Sequence, residues 1–418
     1  MSGARRGRAA GPGPARRPAP STEDLGLFFE PHHPALAAEL DAKLGAEPAA
    51  EVAADLAAEV GDGSPAPGAD PARLVGFLGK ELGVLRFLVP APGEELDLRA
   101  LCLVRERLAY ESPLWDALFA VQGLSAYSLW SEGGPAAKAV LAGAKHGDEI
   151  LAFALTEPEA GSDAAALAAR AEREPGGYRI RGEKTLISNA PIATHLVVFA
   201  TVDPAARSRG ITAFLVPAGA EGLEITPTRV TADHPIADVA LRGVFVPDAA
   251  RVGAEGAGFP LAMRALERLR VSVGAAAAGM ARRALDEALA HTRSRRQFGA
   301  PLAENPVIQA QLAEMATELD AARLLVLRAA RELDLGEARS PAAGAMAKLY
   351  ATEAAHRVVD RAVQLCGGLG VTRGHVVENL YRAIRPLRIY EGTSEIQRLI
   401  IARHLEPPDG ARGARGAG

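Results

Sequence analysis

The pattern of apolar positions divides the chain into three zones. Between residues 25 and 150, apolar side chains recur at helical spacing, as at Leu101, Val104 and Leu108. This spacing places one apolar stripe along a helix, which must pack against a core. We therefore predict an N-terminal α-helical domain over 25–150, interrupted by a loop around residues 61–65.

From 151 to 255 the period of the pattern shortens. Residues 178–181 and 239–246 alternate, whereas 195–202 and 211–216 are rich in β-branched and aromatic side chains. Turn residues separate these runs, as in hairpin-connected strands. The zone predicts a compact middle domain with an antiparallel, β-barrel-like sheet.

Helical spacing returns from 256 to 406, where apolar side chains step by four, three and four residues from Ile308 to Leu319. Long helices joined by short loops form bundles. The helices are expected over 257–294, 307–335, 341–366 and, shorter, 394–405. The predicted fold is therefore α+β and mostly α, ending in a four-helix bundle.

Composition narrows the possible functions. A formal net charge of −4 over 418 residues argues against a nucleic-acid-binding surface. No apolar run reaches the roughly 18 residues that a membrane span needs. The tails 1–24 and 407–418 are rich in Gly, Pro and Arg and are expected to be disordered. Since no signal peptide is apparent, we expect a cytoplasmic protein.

The two cysteines, Cys102 and Cys366, lie in apolar, helix-like stretches. This context favours buried free thiols over a disulfide, and the spacing of Cys and His residues predicts no metal site.

The most informative stretch is 389–398. Ser394 with Gln397 three residues later forms a possible capping box that would begin the last helix. Glu391 and Gly392 would then form a tight turn before the helix N-terminus, where a carboxylate can be aimed at a ligand. From these residues alone, a solvated loop glutamate remains the simpler interpretation.

Four further segments combine donors with glycines. Segment 153–163 offers hydroxyl groups beside a glycine that permits close backbone approach, and 182–189 follows it as a strand. Alone, the first segment is more simply a turn after a buried strand. Segment 295–299 could bind a pyrophosphate, or simply end a helix with arginines that suit the helix dipole. Segment 364–370 has the glycines of a helix C-cap.

Together, these five segments in this order resemble the acyl-CoA dehydrogenase family, over about residues 75–405. The resemblance implies an FAD enzyme that oxidises an acyl-CoA thioester to the 2,3-enoyl-CoA. Glu391 would abstract the α-proton while flavin N5 takes the β-hydride. The Glu391 backbone N–H and a flavin ribityl hydroxyl would bind the thioester carbonyl. Some members carry the base at the position of Leu269, and leucine cannot accept a proton.

The resemblance also implies the remaining site residues. Arg270 matches an arginine that contacts CoA, and Arg295 and Gln364 match residues that reach a neighbouring subunit's FAD. The implied cofactor-binding residues are Phe153, Leu155, Thr156, Gly161, Ser162, Leu186, Ser188, Arg295, Gln297, Phe298, Gln364, Gly368, Thr393 and Glu395. The implied substrate-binding residues are Ser162, Glu267, Arg270 and Gly392.

The expected partners follow from the family. Electrons would pass to an electron-transfer flavoprotein, and the shared cofactor sites imply a homotetramer. A role in fatty acid or amino acid catabolism is expected. Phe119, Gln122 and Leu124 are candidates for lining the acyl pocket.

Two departures from the family keep alternatives open. Leu186 stands where an aromatic residue usually covers the flavin, so an oxidase that passes electrons to oxygen is one alternative. The altered segment 230–239 makes a dehydrogenase of carrier-protein-bound acyl groups another. His234 in this segment is more simply a turn histidine than a catalytic one. A non-catalytic flavin-binding or DNA-associated scaffold is a remote fourth interpretation.

Overall fold

The computed structural model describes residues 23–46, 70–91, 93–337 and 340–405. The expected loop at 61–65, residues 1–22 and the tail 407–418 lie outside the described residues. Glu23 and Asp24, which the sequence assigns to the tail, begin a short 3-10 helix that ends at Phe28.

Among the described residues before the sheet there are five α-helices. They are α1 (His32–Leu44), α2 (Pro71–Lys80), α3 (Leu98–Glu111), α4 (Pro113–Glu132) and α5 (Pro135–Ala144). Asp97 caps α3 by accepting from the Ala100 N–H at 2.9 Å. The predicted stripe of Leu101, Val104 and Leu108 on α3 is buried, which confirms the helical spacing.

Eight strands follow: β1 (Leu151–Ala154), β2 (Arg170–Glu174), β3 (Gly177–Ser188), β4 (His195–Thr201), β5 (Ile211–Pro217), β6 (Leu223–Pro227), β7 (Ile236–Pro247) and β8 (Arg251–Val252). They form one sheet in the order β6-β7-β3-β2-β4-β5-β8, with β1 beside β4. The four runs predicted from the sequence are β3, β4, β5 and β7. The other four strands were not predicted, because they are short or, like β2, mostly charged.

Most neighbouring strands are antiparallel, as predicted, but the sheet is mixed. β1 runs parallel to β4, with Leu151 opposite His195, and β2 meets β4 in parallel where Arg170 faces Thr201. Alternation along a strand reports which face is buried and does not report the direction of its neighbour. The two parallel pairings were therefore not visible in the sequence.

The last part of the chain is helical. It contains α6 (Gly258–Ser294), α7 (Pro306–Asp334), α8 (Ser340–Cys366), α9 (Val376–Ile384) and α10 (Ser394–Leu405). A small hairpin of β9 (Arg296–Gln297) and β10 (Ala300–Pro301) follows α6. The four predicted helices agree with α6, α7, α8 and α10 to within two residues. The nine-residue α9 was not predicted.

The helices before and after the sheet share one core. α6 packs against α7, α8 and α3. At Gly279 on α6, an added Cβ would lie 2.1 Å from the Glu106 carbonyl oxygen of α3, so only glycine permits this close approach. One buried apolar cluster runs from Leu36 on α1 to Ala351 on α8. Apolar side chains of α3, α4, α6 and α8 consequently belong to the same buried cluster.

Both cysteines are free and buried, which confirms the prediction for them. Within the described ranges, no helix combines the length and apolar character required to cross a membrane.

Candidate active site

The Glu391 turn, residues 389–393, connects a 3-10 helix (Arg385–Arg388) to α10. Glu391 has a φ of 53° and Gly392 a φ of 90°. The left-handed region costs a non-glycine residue about 1 to 2 kcal/mol, so surrounding contacts must hold Glu391 in this conformation. The predicted tight turn before a helix is present.

The predicted capping box at this turn is wrong. The Thr393 side chain, one residue earlier, accepts from the Ile396 N–H at 3.3 Å. The Ser394 hydroxyl instead donates to Glu353 on α8 at 2.6 Å. In the sequence, the hydroxyl groups of Thr393 and Ser394 are equally suitable as the helix cap. Ser394 bonds to Glu353 in the folded chain, so Thr393 is left to cap the helix. Gln397 is thereby free to contact the turn.

Buried donors hold the carbonyl groups of the turn. The Gly392 carbonyl accepts from Lys348 Nζ at 2.7 Å and from Gln397 Nε2 at 2.8 Å. Gln397 Nε2 also lies 3.4 Å from the Glu391 carbonyl oxygen. Arg270 Nη1 donates to Gln397 Oε1 at 3.3 Å, which orients the amide. The strained turn is therefore fixed from α6, α8 and α10.

The Glu391 carboxylate has no comparable support. Its Oε2 atom is buried and accepts no hydrogen bond from any described residue. Burial raises the pKa of the Glu391 carboxyl, and the positive charges of Arg105, Lys348 and Arg270 oppose that rise. A buried carboxylate with a free oxygen and a raised pKa has the properties of a general base.

A buried ion pair lies beside this carboxylate. Arg105 on α3 donates from Nε and Nη2 to the two oxygens of Asp116 on α4, at 2.7 and 2.9 Å. Its Nη1 donates to the Ser272 hydroxyl on α6 at 2.9 Å. Burial, with the charge of nearby Asp116, also raises the pKa of the Tyr390 phenol. Three helices are thus joined by polar contacts next to the Glu391 turn.

The predicted substrate residues on α6 have different surroundings. Arg270 is buried, its Nε donates to the Leu266 carbonyl at 3.2 Å, and burial lowers its pKa. Its contact with CoA stays a prediction. Glu267 is half-buried one turn earlier, and Leu269 is buried. Within α6, the position of Leu269 therefore offers no base.

The β1 loop, residues 155–163, is held from inside the sheet. Lys184 on β3 donates to the Leu155 carbonyl at 3.1 Å and to Glu157 Oε1 at 2.6 Å. Both Glu157 oxygens also accept backbone N–H groups, from Ala168 and Ala169. Burial lowers the pKa of Lys184 to about 8, although Glu157 opposes the shift. The Glu157 carboxylate is therefore a structural group.

The outer side of the β1 loop carries the predicted flavin contacts. Ser162 and Gly161 are exposed, Thr156 and Ser188 are half-buried, and open space surrounds the position of a Cβ at Gly161. The Thr185 N–H of β3 donates to the Thr156 carbonyl at 3.0 Å, which joins the loop to the strand. Two predicted residues lie further inside: Phe153 packs on Phe199, and Leu155 is buried.

Leu186 on β3 is an apolar residue in a strained conformation. Its φ is 54° and its side chain is 51% exposed. Asp238 on β7 accepts the Leu186 N–H at 3.1 Å and the Thr185 hydroxyl at 2.6 Å. These bonds, foremost that from Thr185, lower the pKa of Asp238. The strand is thereby bent so that Leu186 points to its exposed side.

The remaining predicted cofactor residues lie on the surface of the chain. Arg295, Gln297 and Phe298 are exposed around the hairpin after α6, and Phe298 adopts a φ of 50°. Gln364 and Gly368 are exposed near the end of α8, where Gly367 with a φ of 58° provides the predicted C-cap. Thr393 is half-buried and Glu395 exposed at the start of α10. Within the described ranges, no hydrogen bond joins the first two groups to the Glu391 turn.

The three residues predicted to line the acyl pocket are buried, and their role in substrate binding stays a prediction. Gln122 on α4 donates to the Glu149 carbonyl at 2.7 Å and accepts from the Leu151 N–H at 2.9 Å. It is buried, as is Phe119. Gln122 belongs to the contact between α4 and β1, because its amide satisfies the backbone at the start of that strand. Leu124 is buried as well, although 8% of its surface remains exposed.

The loop 228–235 is tied to α9. Arg382 donates from Nη1 to the Thr231 carbonyl at 3.1 Å and to Asp233 Oδ2 at 2.9 Å. Burial lowers the pKa of His234 to about 4, so its imidazole is neutral. This agrees with a turn histidine.

Comparison with known proteins shows to which family this chain belongs. The acyl-CoA dehydrogenase middle-domain and C-terminal-domain models match residues 152–244 and 256–406. Cyclohex-1-ene-1-carbonyl-CoA dehydrogenase of Syntrophus aciditrophicus is 36% identical over 333 residues, which cover 78% of this chain and 80% of that protein. The chain belongs to the acyl-CoA dehydrogenase family.

Other relatives in the acyl-CoA dehydrogenase family extend the comparison. A 3-(aryl)acrylate reductase of Clostridium sporogenes is 42% identical over 262 residues, 62% of this chain and 69% of that protein. The structure of a glutaryl-CoA dehydrogenase from Mycobacterium smegmatis in complex with FADH2 is similar with a TM-score of 0.80. Its sequence identity is 26%, over 92% of this chain and 96% of that one. This chain is accordingly an oxidoreductase with the acyl-CoA dehydrogenase fold.

The residues present fit the flavin on which this family depends. Around the β1 loop, Thr156, Ser162 and Ser188 offer hydroxyl groups, and Gly161 leaves room for a ligand against the backbone. Leu186 adds an exposed apolar surface suited to an aromatic ring system. These donors are therefore consistent with the binding of FAD.

Sequence reasoning missed most of the residues that support the site. Lys348, Arg105 and Asp116 lie around Glu391, and Lys184 holds the β1 loop. Gln397 was named only as a cap residue, and its contact with the Gly392 carbonyl was not predicted. A signal was present for Lys348 and Asp116, each of which is a single charge within an apolar helical run. Such a charge is rarely buried unless it has a partner.

Proposed function

We propose that this protein catalyses the FAD-dependent α,β-dehydrogenation of an acyl-CoA thioester to the 2,3-enoyl-CoA, with Glu391 as the base. The observation that carries the proposal is the carboxylate of Glu391. It has a buried oxygen without a hydrogen-bond partner, in a turn whose backbone is tightly held. No structural purpose explains a strained glutamate with an unused oxygen.

The surroundings of Glu391 support proton abstraction next to a thioester. The raised pKa gives the carboxylate a greater affinity for a proton than an exposed glutamate has. Arg105, Arg270 and Lys348 place positive charge around the position where an enolate develops. The Glu391 backbone N–H, within the fixed turn, is the donor that we expect for the thioester carbonyl.

Bound FAD would supply the acceptor for the β-hydride. Residues of the β1 loop and its neighbours would hold the isoalloxazine, namely Thr156, Gly161, Ser162, Leu186 and Ser188. Arg295, Gln297, Phe298, Gln364 and Gly368 would contact the FAD of another copy in a homotetramer. The complete exposure of the Phe298 side chain in a single chain supports this assembly, since exposed aromatic residues commonly mark interfaces.

The electron acceptor defines a second candidate function. An electron-transfer flavoprotein is the expected acceptor, and an oxidase using oxygen is the alternative. Leu186 supports the oxidase alternative, because a half-exposed leucine covers less of a flavin than an aromatic ring does and leaves it more accessible to oxygen. Mixing the reduced protein with oxygenated buffer distinguishes them: rapid return of the flavin absorbance indicates an oxidase.

The proposal is tested with the purified flavoprotein. Its visible spectrum is recorded anaerobically while saturated acyl-CoA thioesters of different length and branching are added. We expect one class to bleach the flavin of the wild-type protein. Glu391→Gln should bind the thioester but reduce the flavin at least about 100-fold more slowly, since general-base catalysis contributes about 10²- to 10⁴-fold.

The matched control is Glu81→Gln, which changes an exposed glutamate after α2 and should react like the wild type. Equal rates for Glu391→Gln and the wild type would contradict the role of Glu391. Failure of every acyl-CoA, with reduction by acyl groups on a carrier protein, would replace the proposed substrate.

A further inference from the structure

A buried lysine stands behind the Glu391 turn. Lys348 lies on α8 among the buried alanines 345, 347 and 351, and its side chain is entirely inaccessible. An ammonium group in such surroundings is unfavourable unless it has a partner. The nearest partner is a carbonyl and not a carboxylate: Lys348 Nζ donates to the Gly392 oxygen at 2.7 Å.

Two donors from different helices converge on that one carbonyl. Gln397 on α10 donates to the Gly392 oxygen at 2.8 Å, and Arg270 on α6 orients the Gln397 amide. A carbonyl held by two buried donors fixes the plane of its peptide group. The positive φ angles of Glu391 and Gly392 are set by the peptides on either side, so this clamp resists relaxation of the turn.

Lys348 and Glu391 also influence each other's charge. Burial lowers the pKa of Lys348 to about 8, and the negative charge of Glu391 opposes this shift. From the other elements packed here, Arg105, Arg270 and Asp116 act on Glu391. Asp116 is paired with Arg105, whereas Lys348 and Arg270 are buried cations near the turn that bond to carbonyl and amide oxygens instead of carboxylates.

We propose that Lys348 is a positioning residue, which holds the Glu391 carboxylate and its backbone N–H in the reactive arrangement by clamping the Gly392 carbonyl. This inference rests on the proposed function of Glu391. It concerns a residue that contacts neither the substrate nor the flavin.

The test uses the full-length flavoprotein with Lys348→Met, which keeps the length of the side chain but removes the donor and the charge. Lys43→Met is the matched control, because Lys43 Nζ also donates to a backbone carbonyl, that of Leu82 at 2.8 Å, far from the site in sequence. The first measurement is hydrogen exchange of peptides covering residues 389–397. We expect exchange at least about 5-fold faster in Lys348→Met and unchanged in Lys43→Met, since loss of the clamp raises local opening.

The second measurement is flavin reduction by the reactive acyl-CoA as a function of pH. We expect kcat to fall about 10- to 100-fold in Lys348→Met, while KM changes much less. Removing a nearby positive charge raises the pKa of Glu391, which reacts when deprotonated. The acidic limb of the profile should therefore move to higher pH, by on the order of one unit.

Two further variants keep the inference testable if Lys348→Met folds poorly. Lys348→Arg retains a charged donor and should recover part of kcat. Gln397→Leu removes the other donor without removing a charge, so exchange should rise with a smaller displacement of the acidic limb. Turn exchange in Lys348→Met equal to that in Lys43→Met overturns the proposal. If no acyl thioester reduces the wild-type flavin, the proposed function fails, yet the exchange measurement still decides the role of Lys348.

Discussion

The β1 loop and the Glu391 turn are built from the same residue types with different results. Each contains a glutamate with a buried carboxylate oxygen, and each is held by a buried lysine whose pKa burial lowers to about 8. In the β1 loop, Lys184 binds the carboxylate of Glu157 directly, and backbone N–H groups fill its other positions. In the turn, Lys348 binds the backbone and leaves the Glu391 carboxylate free.

This difference separates a structural glutamate from a functional one. A carboxylate that is satisfied by buried donors stabilises the fold and has no capacity left for chemistry. A carboxylate whose backbone is held while one oxygen is unused can take a proton. Burial alone does not distinguish the two groups, whereas the atoms to which the lysines donate do.

Glu157→Gln is expected to have the largest effect on stability. It leaves the buried Lys184 without its charged partner, which costs about 3 kcal/mol of unfolding free energy. Glu391→Gln should leave stability unchanged or raise it, because the lost charge had no bonded partner. Urea unfolding at pH 7 measures both, with Glu224→Gln as the control for an exposed pair with Arg242. Equal losses of unfolding free energy in Glu157→Gln and Glu391→Gln would contradict the distinction between a structural and a functional glutamate.

Asp116→Asn is expected to have the second-largest effect, because it changes a buried carboxylate that lies near the Glu391 turn and is already paired. The change breaks the bidentate pair with Arg105, but the amide oxygen can still accept one bond. We therefore expect a loss of about 2 kcal/mol. Asp248→Asn, in an exposed pair with Arg173, should cost less than about 1 kcal/mol in the same urea titration. A loss at Asp116 no larger than at Asp248 would contradict the importance of burial.

The buried lysines predict a particular pH dependence. The pKa of Lys348 falls from 10.5 to about 8 on folding, so between these values the unfolded chain binds more protons. Stability attributable to this residue must then rise with pH across this window. In Lys348→Met the rise should be smaller by on the order of 1 kcal/mol, measured by unfolding at pH 7.5 and 10. Lys80 is a control of opposite sign, because its hydrogen bond to Asp148 raises its pKa.

Leu186 provides the smallest expected effect. It shares with Glu391 a positive φ, which glycine adopts without strain. Leu186→Gly should raise the unfolding free energy by about 0.5 to 1 kcal/mol. Leu399→Gly alters a similarly exposed leucine inside α10 and should cost about 1 kcal/mol. Destabilisation by both variants would show that the conformation of Leu186 is unstrained.

Much of the fold could be predicted because it depends on periodic patterns. The long helices and strands β3, β4, β5 and β7 bury regular stripes of apolar side chains. Helix α9 and strands such as β2 are too short or too polar to give such a signal. The parallel contact of β1 with β4 depends on the path of the chain between them, which residue alternation does not record.

The site was predicted less evenly. Glu391 and the glycine-containing loops carry local signals, because a turn needs particular residues in sequence order. The contacts of Gly392 with Lys348, and of Arg105 with Asp116, join positions on separate helices. Their partners are decided by packing, which also explains why the cap was assigned to Ser394 and not Thr393. Gln122 bonds to the backbone at the start of β1, a contact that its position in the sequence does not reveal.

The contact at Gly279 has a consequence for dividing the chain. Because α6 lies directly against α3 there, and one apolar cluster extends from Leu36 to Ala351, the helices on either side of the sheet cover each other's interior. A fragment beginning at residue 151 would expose the apolar face of α6 to water. The helical zones on either side of the sheet therefore share one interior, and shortened expression fragments should retain α3 together with α6.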